Sequence, residues 1–313
     1  MTRHLRSLLD VDPDETRRIL ELAAAVKAQP ERYARGLAGK SIAMIFSKQS
    51  TRTRISFEVG IHQLGGQALS LSTSGGTGMQ MGRGETLHDT AKVLSRYVHA
   101  IVIRTFAQDE IEGLAEHGSI PVINALTDLY HPCQALADLL TISEHLGDTK
   151  GKKLVYAGAG NNVAHSLMLA GPRSGMDVVV ACPDSLRPSA VVLERARKDA
   201  SAAGTSIAIE TDLERAVEGA DVVYTDTWVS MGEESEAAAL RKQLMPYAVT
   251  PQIMEATGKD SAIFMHCLPA HRGEEVVDEV MDGSWSVVFD QAENRLHAQK
   301  ALLLLLLGAE SWT

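Results

Sequence analysis

Short apolar runs alternate along the chain with longer segments whose apolar positions repeat at helical spacing. In the first half these runs predict strands at Ile42–Phe46, Ala68–Leu71, Ala100–Ile103 and Pro121–Asn124. In the second half they predict strands at Lys153–Ala157, Asp177–Ala181, Ser206–Ile209, Asp221–Thr225, Ala262–Met265 and Ser286–Phe289. Helices are expected between them, near 52–65, 86–96, 108–117, 161–174, 188–203 and 234–244. Such alternation is typical of parallel sheets covered by helices, so we predict an α/β protein.

The pattern also predicts two domains, each a parallel β-sheet flanked by helices. A helix from about Gln134 to Leu146 ends the first strand–helix series, and the polar stretch Gly147–Gly151 follows it. We therefore expect one domain over residues 1–146 and a second over 147–290, followed by a C-terminal segment, 291–313. A final helix, Gln291 to Leu307, has no strand after it.

Two further segments have distinct local signals. Asp12, Pro13 and Glu15 occupy the cap, first and third positions of a capping sequence, which predicts the start of the first helix. Ser72 to Gly84 is dominated by Gly, Ser, Thr and Met without an apolar period, so it is predicted to be a long loop. Loops of this length in a compact domain are usually functional or mobile.

Composition and charge exclude several classes of protein. At 313 residues and 45% hydrophobic, the chain can bury two sizeable cores. Its formal net charge of −10 argues against nucleic acid as a partner. The apolar run Ala301–Leu307 is far shorter than the roughly 20 residues that cross a membrane. Cys133, Cys182 and Cys267 are odd in number and lack CxxC spacing, which favours a reducing compartment.

Hydroxyls and guanidiniums alternate in Ser50-Thr51-Arg52-Thr53-Arg54, between a predicted strand and a predicted helix. The first N–H groups of a helix lack intrahelical partners and lie at its positive end, where anions bind. Hydroxyls add donors, and an arginine fork matches phosphate oxygens. We interpret the segment as a phosphate site, with a simple capped helix as the plainer alternative.

Arg104, His131 and Gln134 follow predicted strands, so all three are expected at the carboxyl edge of a parallel sheet, where such folds bind ligands. A cation, an imidazole and an amide around one carbonyl oxygen would polarise it and stabilise an oxyanion. On its own, His131-Pro132 is more often part of a turn.

The stretch Gly158-Ala159-Gly160-Asn161-Asn162 has two interpretations. Two glycines after a strand, with Asp184 beyond the next strand as a ribose ligand, are part of a dinucleotide fingerprint. The third glycine of that fingerprint is missing, because position 163 is valine. A tight turn with Asn161 as helix cap explains the same residues.

Polar residues also follow two later strands. The carboxylate of Asp226 could pair with an ammonium group, or could cap a turn. His266-Cys267 could be a metal pair or a nucleophile–base pair, but neighbouring residues of a strand point to opposite faces, which argues against both. Pro269 favours a rigid turn that presents Cys267 and Leu268 to a ligand.

Five of these segments resemble motifs of one family. Ser50–Arg54 is similar to the phosphate-binding signature of the carbamoyltransferases, and His131–Gln134 to their carbamoyl-binding motif. Asp226–Gly232 and His266–Pro269 resemble motifs of the ornithine branch, and Ala292–Arg295 resembles its closing segment. Because order and spacing agree along nearly all of the chain, it resembles the aspartate/ornithine carbamoyltransferase family throughout.

The resemblance implies a role for each matching residue. It implies that carbamoyl phosphate is bound by Ser50, Thr51, Arg52, Thr53, Gln80, Arg104, His131, Gln134, Cys267, Leu268 and Arg295. It implies that ornithine is bound by Asn162, Asp226, Ser230 and Met231, and that the catalytic residues are Arg104, His131, Gln134, Asp226 and Cys267. It further implies a final helix that crosses back to the first domain and a homotrimer in which Gln80 reaches a neighbouring active site. We expect no metal or organic cofactor and, from the cysteines, a cytoplasmic location.

Three alternatives stay open. An aspartate carbamoyltransferase would need basic groups where this chain has Asp226 and Cys267. A nicotinamide-dependent oxidoreductase would rest on Gly158 and Gly160, and cofactor binding would reveal it. A non-catalytic amino-acid-binding protein would form no carbamoylated product.

Overall fold

The computed structural model describes residues 2–48, 50–72, 84–229 and 237–308. Within it, the chain forms two compact units. Unit 1 comprises residues 1–140 together with 293–313, and unit 2 comprises residues 141–292. The predicted α/β class, with two parallel-sheet units flanked by helices, is confirmed.

Unit 1 contains a four-stranded parallel sheet in the order β2-β1-β3-β4. Its strands are β1 (Ser41–Phe46), β2 (Gln67–Ser72), β3 (Ala100–Arg104) and β4 (Val122–Leu126). The helices of this part of the chain are α1 (Pro13–Ala28), α2 (Pro30–Tyr33), α3 (Thr51–Gln63), α4 (Leu87–Tyr97), α5 (Gln108–His117) and α6 (Pro132–Leu146). Every residue of β3 and β4 is buried. Strand β3 is central, and the outer edge of β4 is covered by the N-terminal segment, where Leu5 exchanges backbone hydrogen bonds with Val122 and Asn124.

Unit 2 contains a five-stranded parallel sheet in the order β7-β6-β5-β8-β9. Its strands are β5 (Lys153–Ala157), β6 (Asp177–Ala181), β7 (Ile207–Glu210), β8 (Val222–Thr225) and β9 (Ile263–His266). The helices that follow α6 are α7 (Asn162–Arg173), α8 (Ala190–Ala203), α9 (Leu213–Val217), α10 (Ala237–Leu244), α11 (Pro251–Glu255), α12 (Asp278–Met281) and α13 (Val288–Leu306). The order reverses between β5 and β8, which is where open α/β sheets bind ligands.

Local sequence signals explain several element boundaries. The Asp12 side chain accepts from the Glu15 N–H at 2.8 Å, and the Glu15 carboxylate accepts from the Asp12 N–H, so the predicted capping box is present. Gly204 ends α8 with a φ of 73°, a backbone conformation that favours glycine at a helix C-terminus.

The strand predicted at Ser286–Phe289 is wrong. Ser286 forms only an isolated parallel bridge with Phe264, and α13 already begins at Val288. The apolar pair Val287 and Val288 is buried, so these residues contribute to the core as a strand would. A strand and the start of a helix can both bury a short apolar run, so periodicity alone cannot distinguish them.

Helix α13 continues from unit 2 into unit 1, and two hydrogen bonds and one close apolar contact fix its second part there. Lys27 Nζ donates to Asn294 Oδ1 at 2.8 Å, and Lys300 Nζ donates to Gln63 Oε1 at 2.9 Å. Gly36 lies so close to Leu304 that a Cβ atom at Gly36 would be 2.3 Å from Leu304 Cδ2. The predicted return of the final helix to the first part of the chain is thus confirmed, and across the described residues no helix is long and apolar enough to cross a membrane.

Candidate active site

The predicted anion-binding residues of unit 1 meet at the carboxyl edge of its sheet. Strands β1, β3 and β4 are neighbours, and their ends lead to Ser50, Arg104 and His131 respectively. Phe46 pairs with Arg104 between β1 and β3, and the register of β3 with β4 shifts at Arg104. Parallel pairing therefore brings three segments, separated by up to 81 positions in sequence, to one edge.

Helix α3 begins at the predicted phosphate segment. Ser50 is its N-cap, and the Ser50 hydroxyl accepts from the Thr53 N–H at 3.2 Å. Thr53 is buried, whereas Thr51 and Arg52 are exposed. Arg54 is exposed as well and lies 3.6 Å from Glu58. The plainer alternative of a capped helix is thus correct for the Ser50 hydroxyl, and the exposed side chains at the helix N-terminus remain compatible with an anion site.

Arg295 connects the phosphate segment to the carbamoyl motif. It is buried, and its two terminal nitrogens donate to Gln134 Oε1 at 2.7 Å and to Thr53 Oγ1 at 3.0 Å. The Gln134 amide in turn donates from Nε2 to Asp138 Oδ1 at 2.8 Å. Sequence reasoning missed Asp138, a fully buried carboxylate, although it lies four residues after Gln134 on one face of α6.

His131 lies in a strongly positive environment. Burial, together with the charges of Arg295 and Arg104, holds the pKa of His131 well below its usual value. The imidazole is therefore neutral at physiological pH, while both guanidiniums keep their charges. Burial also raises the pKa of Cys133 to about 12, which makes this thiol chemically inert. Unit 1 thus provides a buried positive focus on an acidic chain, and this arrangement suits an anion with a polarisable carbonyl group.

The predicted residues of unit 2 meet where its strand order reverses. Asn161 and Asn162 follow β5, Asp226 follows β8 and Cys267 follows β9. Asp226 Oδ1 accepts from the Cys267 thiol at 2.9 Å and from the Thr227 N–H at 2.7 Å. Asp226 Oδ2 accepts from Asn161 Nδ2 at 2.9 Å. The cluster is a carboxylate held by neutral donors, which suits a cationic or amine-bearing ligand.

The expectation that His266 and Cys267 point away from each other is wrong. Ligand atoms of Asp226, His266 and Cys267 lie within 4.8 Å of one another. The alternation rule fails because β9 ends at His266, so Cys267 belongs to the turn.

The close approach of these three residues bears on the two roles that strand alternation argued against, a nucleophile–base pair and a metal pair. The neighbouring Asp226 is a potential base that sequence reasoning did not place beside Cys267, but its negative charge disfavours a thiolate. Metal binding is disfavoured because both His266 nitrogens already have protein partners. Nδ1 accepts from the Leu268 N–H at 2.9 Å, and Nε2 lies 3.3 Å from Glu275 Oε1. A second group in the described residues, His271, Glu274 and Glu275, has metal-ligand spacing, but Glu274 is paired with Arg241.

The glycines of the possible dinucleotide fingerprint have a structural use. A Cβ atom at Gly160 would lie 2.1 Å from the Pro188 backbone nitrogen, so this close approach is filled by protein. Asp184, the predicted ribose ligand, is bound by Arg187 at 2.5 Å. Asn161 is the N-cap of α7, as its alternative interpretation predicted. These contacts leave the oxidoreductase hypothesis without support.

Two of the remaining predicted residues lie in unit 2, and three lie outside the described residues. Asn162 is the first residue of α7, and Leu268 follows Cys267 in the turn before Pro269, with a cis peptide bond between Leu268 and Pro269. Gln80, Ser230 and Met231 lie outside the described residues.

Comparison with known proteins places the chain in a family. The model of the carbamoyl-P binding domain of aspartate/ornithine carbamoyltransferase matches residues 3–144, and that of the Asp/Orn binding domain matches residues 150–306. The ornithine carbamoyltransferase of Methanobrevibacter smithii is 55% identical over 300 residues, which cover 96% of this chain and 98% of that protein. The anabolic ornithine carbamoyltransferase of Pyrococcus furiosus is 51% identical, with 98% and 96% covered.

Solved structures agree with the sequence matches. An ornithine carbamoyltransferase structure from Pyrococcus furiosus superposes with a TM-score of 0.93 at 51% identity, covering 98% of this chain and 97% of the other. The anabolic ornithine carbamoyltransferase of Campylobacter jejuni gives a TM-score of 0.91 at 37% identity, with 98% and 99% covered. The chain belongs to the aspartate/ornithine carbamoyltransferase family.

Proposed function

We propose that this enzyme is an ornithine carbamoyltransferase of arginine biosynthesis. It transfers the carbamoyl group of carbamoyl phosphate to the δ-amine of L-ornithine, which yields L-citrulline and phosphate. The amine gives up a proton and attacks the carbonyl carbon, a C–N bond forms, and the C–O bond to phosphate breaks. This chemistry requires no metal or organic cofactor, and positioning and oxyanion stabilisation supply most of the acceleration. The relatives named ornithine carbamoyltransferase support this assignment.

The residues of unit 1 serve carbamoyl phosphate in this proposal. The phosphate binds at the N-terminus of α3, to Ser50, Thr51, Arg52 and Thr53, and to Arg104. The carbonyl oxygen faces Arg104, His131 and Gln134, with Arg295 completing the anion site. The neutral state of His131 is compatible with this role, because an uncharged imidazole keeps one N–H group that can donate a hydrogen bond to the developing oxyanion.

The residues of unit 2 serve ornithine, and one observation carries the choice of substrate. The Asp226 carboxylate and the Cys267 thiol are 2.9 Å apart, where an aspartate-specific enzyme would need cationic side chains for the second carboxylate of its substrate. Asn162, Ser230 and Met231 complete the ornithine site, and Cys267 with Leu268 lies at the reacting groups. We keep the predicted division of residues 1–146 for carbamoyl phosphate and 147–290 for ornithine.

A colorimetric assay for carbamoylated products tests the proposal. Ornithine, N-acetylornithine, putrescine and aspartate are offered separately as acceptors, with carbamoyl phosphate at saturation. We expect product with ornithine at a rate at least 100-fold above the other acceptors. Product with aspartate in its place would contradict the substrate assignment. No product with any acceptor would favour the non-catalytic protein.

We further propose that the enzyme works in the cytoplasm as a homotrimer with shared active sites. The edge strand β2 leads in sequence to residues 73–83, and beside it Ile55, Val59 and Leu69 expose apolar surface, which supports a subunit interface there. Three such contacts close into a ring. The odd number of cysteines and their spacing support a reducing compartment.

Subunit mixing tests the shared site. Arg52→Ala and Gln80→Ala are expected to be strongly impaired when assayed alone. In mixed trimers some sites would combine the intact Arg52 of one chain with the intact Gln80 of its neighbour, so activity should reappear. A mixture as inactive as its components, despite proven subunit exchange, would show that each loop serves its own chain.

A further inference from the structure

Asn161 makes more contacts than helix capping requires. Its Oδ1 accepts from the Val163 N–H at 3.0 Å and from the Ala164 N–H at 3.1 Å, which caps α7. The same oxygen accepts from the Tyr156 hydroxyl at 3.1 Å. With three donors directed at the oxygen, the other end of the amide must be the nitrogen, which donates to Asp226 Oδ2 at 2.9 Å.

The Tyr156 hydroxyl is a dependable donor to this oxygen. Tyr156 is buried and stacks on Tyr224 with 5.9 Å between ring centroids. Burial and the nearby Asp226 raise the pKa of Tyr156 well above its usual value, so the hydroxyl keeps its proton. The Tyr224 hydroxyl accepts from Gln291 Nε2 at 3.0 Å, and Gln291 Oε1 accepts from the His266 N–H at 2.8 Å. The amide of Asn161 is therefore supported by the same framework that fixes the end of β9.

These contacts leave Asp226 with little freedom. A carboxylate offers about four acceptor positions, and described residues occupy three of them: Thr227 and Cys267 at Oδ1, and Asn161 at Oδ2. The position that is left lies on Oδ2, beside the Asn161 amide. A rotation of the carboxylate would break the bond to Asn161, so the open position has a defined direction.

We propose that Asn161 is a positioning residue, which orients the Asp226 carboxylate so that one acceptor position on Oδ2 receives an amino group of ornithine. The proposal rests on the function proposed above. Asn161 acts through Asp226 and need not touch the substrate itself. It therefore adds ornithine selection to the capping role that its position in the sequence indicates.

The exchange Asn161→Asp isolates the amide nitrogen. Aspartate has the same shape and is an equally good cap, so α7 and the Tyr156 contact are retained. The donor to Asp226 is replaced by an oxygen, which places two carboxylates side by side. We expect KM for ornithine to rise by about 10- to 100-fold, as for the loss of a hydrogen bond to a charged group. KM for carbamoyl phosphate should stay within about twofold, because its proposed ligands at α3 and α6 are untouched.

The pH profile separates positioning from a purely structural role. Two adjacent carboxylates share a proton at lower pH, and the shared proton restores a hydrogen bond between them. The ratio of kcat/KM for ornithine in Asn161→Asp to that in wild type should therefore rise as pH falls from 8 to 6. Asn161→Ser keeps a cap but is too short to reach Asp226, so its KM should rise while the ratio stays flat.

Asp212→Asn is the matched control, because it makes the reverse exchange at the cap of α9 in the same unit. It should leave KM for ornithine unchanged. Ornithine KM values within twofold of wild type in both Asn161 variants, with flat ratios, would overturn the proposal. If Asn161→Asp fails to fold, the KM of Asn161→Ser decides. A wild-type enzyme that forms no citrulline would instead refute the proposed function, which is a separate result.

Discussion

Replacing Arg295 should affect carbamoyl phosphate binding and stability together. Arg295→Met keeps most of the side-chain volume but removes the donors to Gln134 and Thr53, at 2.7 and 3.0 Å. Each hydrogen bond from a charged group contributes about 1.5–3 kcal/mol. The change also takes a positive charge away from a site that holds the fully buried Asp138. We expect the free energy of unfolding to fall by about 3–6 kcal/mol, the sum for the two hydrogen bonds that are lost.

Binding should weaken for a separate reason, since the variant lacks one of the cations around the anion site. A lost charged contact of about 2–4 kcal/mol corresponds to a rise in KM for carbamoyl phosphate of about 30- to 1,000-fold. The pKa of His131 should rise toward its ordinary value, because one of the two charges that lower it is gone. Saturation kinetics at fixed ornithine and NMR titration of the His131 ring measure these two effects.

Lys300→Met provides the control on the same helix. Lys300 is also buried and donates to Gln63 Oε1 at 2.9 Å, which is not one of the motif residues of the anion site. Its replacement should lower stability while KM for carbamoyl phosphate stays within about twofold. Equal kinetic effects in the two variants would show that Arg295 acts only by holding α13 in place, and the assignment of Arg295 to the anion site would then be wrong.

Three further results are expected. Cys267→Ser should keep measurable activity with weaker ornithine binding, since we expect the thiol to orient groups by its hydrogen bond to Asp226 and the hydroxyl can still donate. A carbamoyl group trapped on Cys267 and seen by mass spectrometry would show instead that the thiol is a covalent nucleophile. The rate should rise from neutral to alkaline pH, because the attacking amine must lose a proton; a flat profile at saturation would place proton loss outside the observed step. Below about pH 6.5 the unfolded chain takes up a proton at His131 that the folded chain refuses, so stability should fall by up to about 1.4 kcal/mol per pH unit. Urea unfolding of His131→Asn between pH 7 and 5 should show a flatter dependence than wild type, and an equal slope would refute the link.

The sequence predicts most of the fold because the strands are short apolar runs between clear boundaries. Strands β5 and β6 have the predicted bounds, and the Asp12 cap lies where expected. The strand predicted at Ser286–Phe289 fails, because the apolar residues at the start of a helix have the same local pattern. Tertiary packing decides whether such a run forms a strand or begins a helix, and the local sequence does not contain that information.

The candidate site is predictable as a set of residues but not as a set of contacts. The motifs indicate Thr53, Gln134 and Arg295, yet nothing local shows that Arg295 joins the other two. The rule of strand alternation gave the wrong answer for Cys267, because it depends on where β9 ends. Likewise, the capping signal of Asn161 hides the second hydrogen bond, to a residue 65 positions later.

The passage of α13 into unit 1 determines when that unit can be completed during synthesis. Residues 1–140 emerge first, but Arg295 and the buried leucines of α13 follow only after all of residues 141–292. At roughly 5–20 residues per second, a ribosome needs about 8–30 s to make that intervening stretch. Throughout that interval the nascent first unit exposes the surface that α13 later covers. Thr53 and Gln134 also lack their hydrogen bonds from Arg295 during this time. Carbamoyl phosphate, the first unit's proposed ligand, therefore cannot protect the nascent chain by binding to a finished site, and unit 2 has the opportunity to fold first.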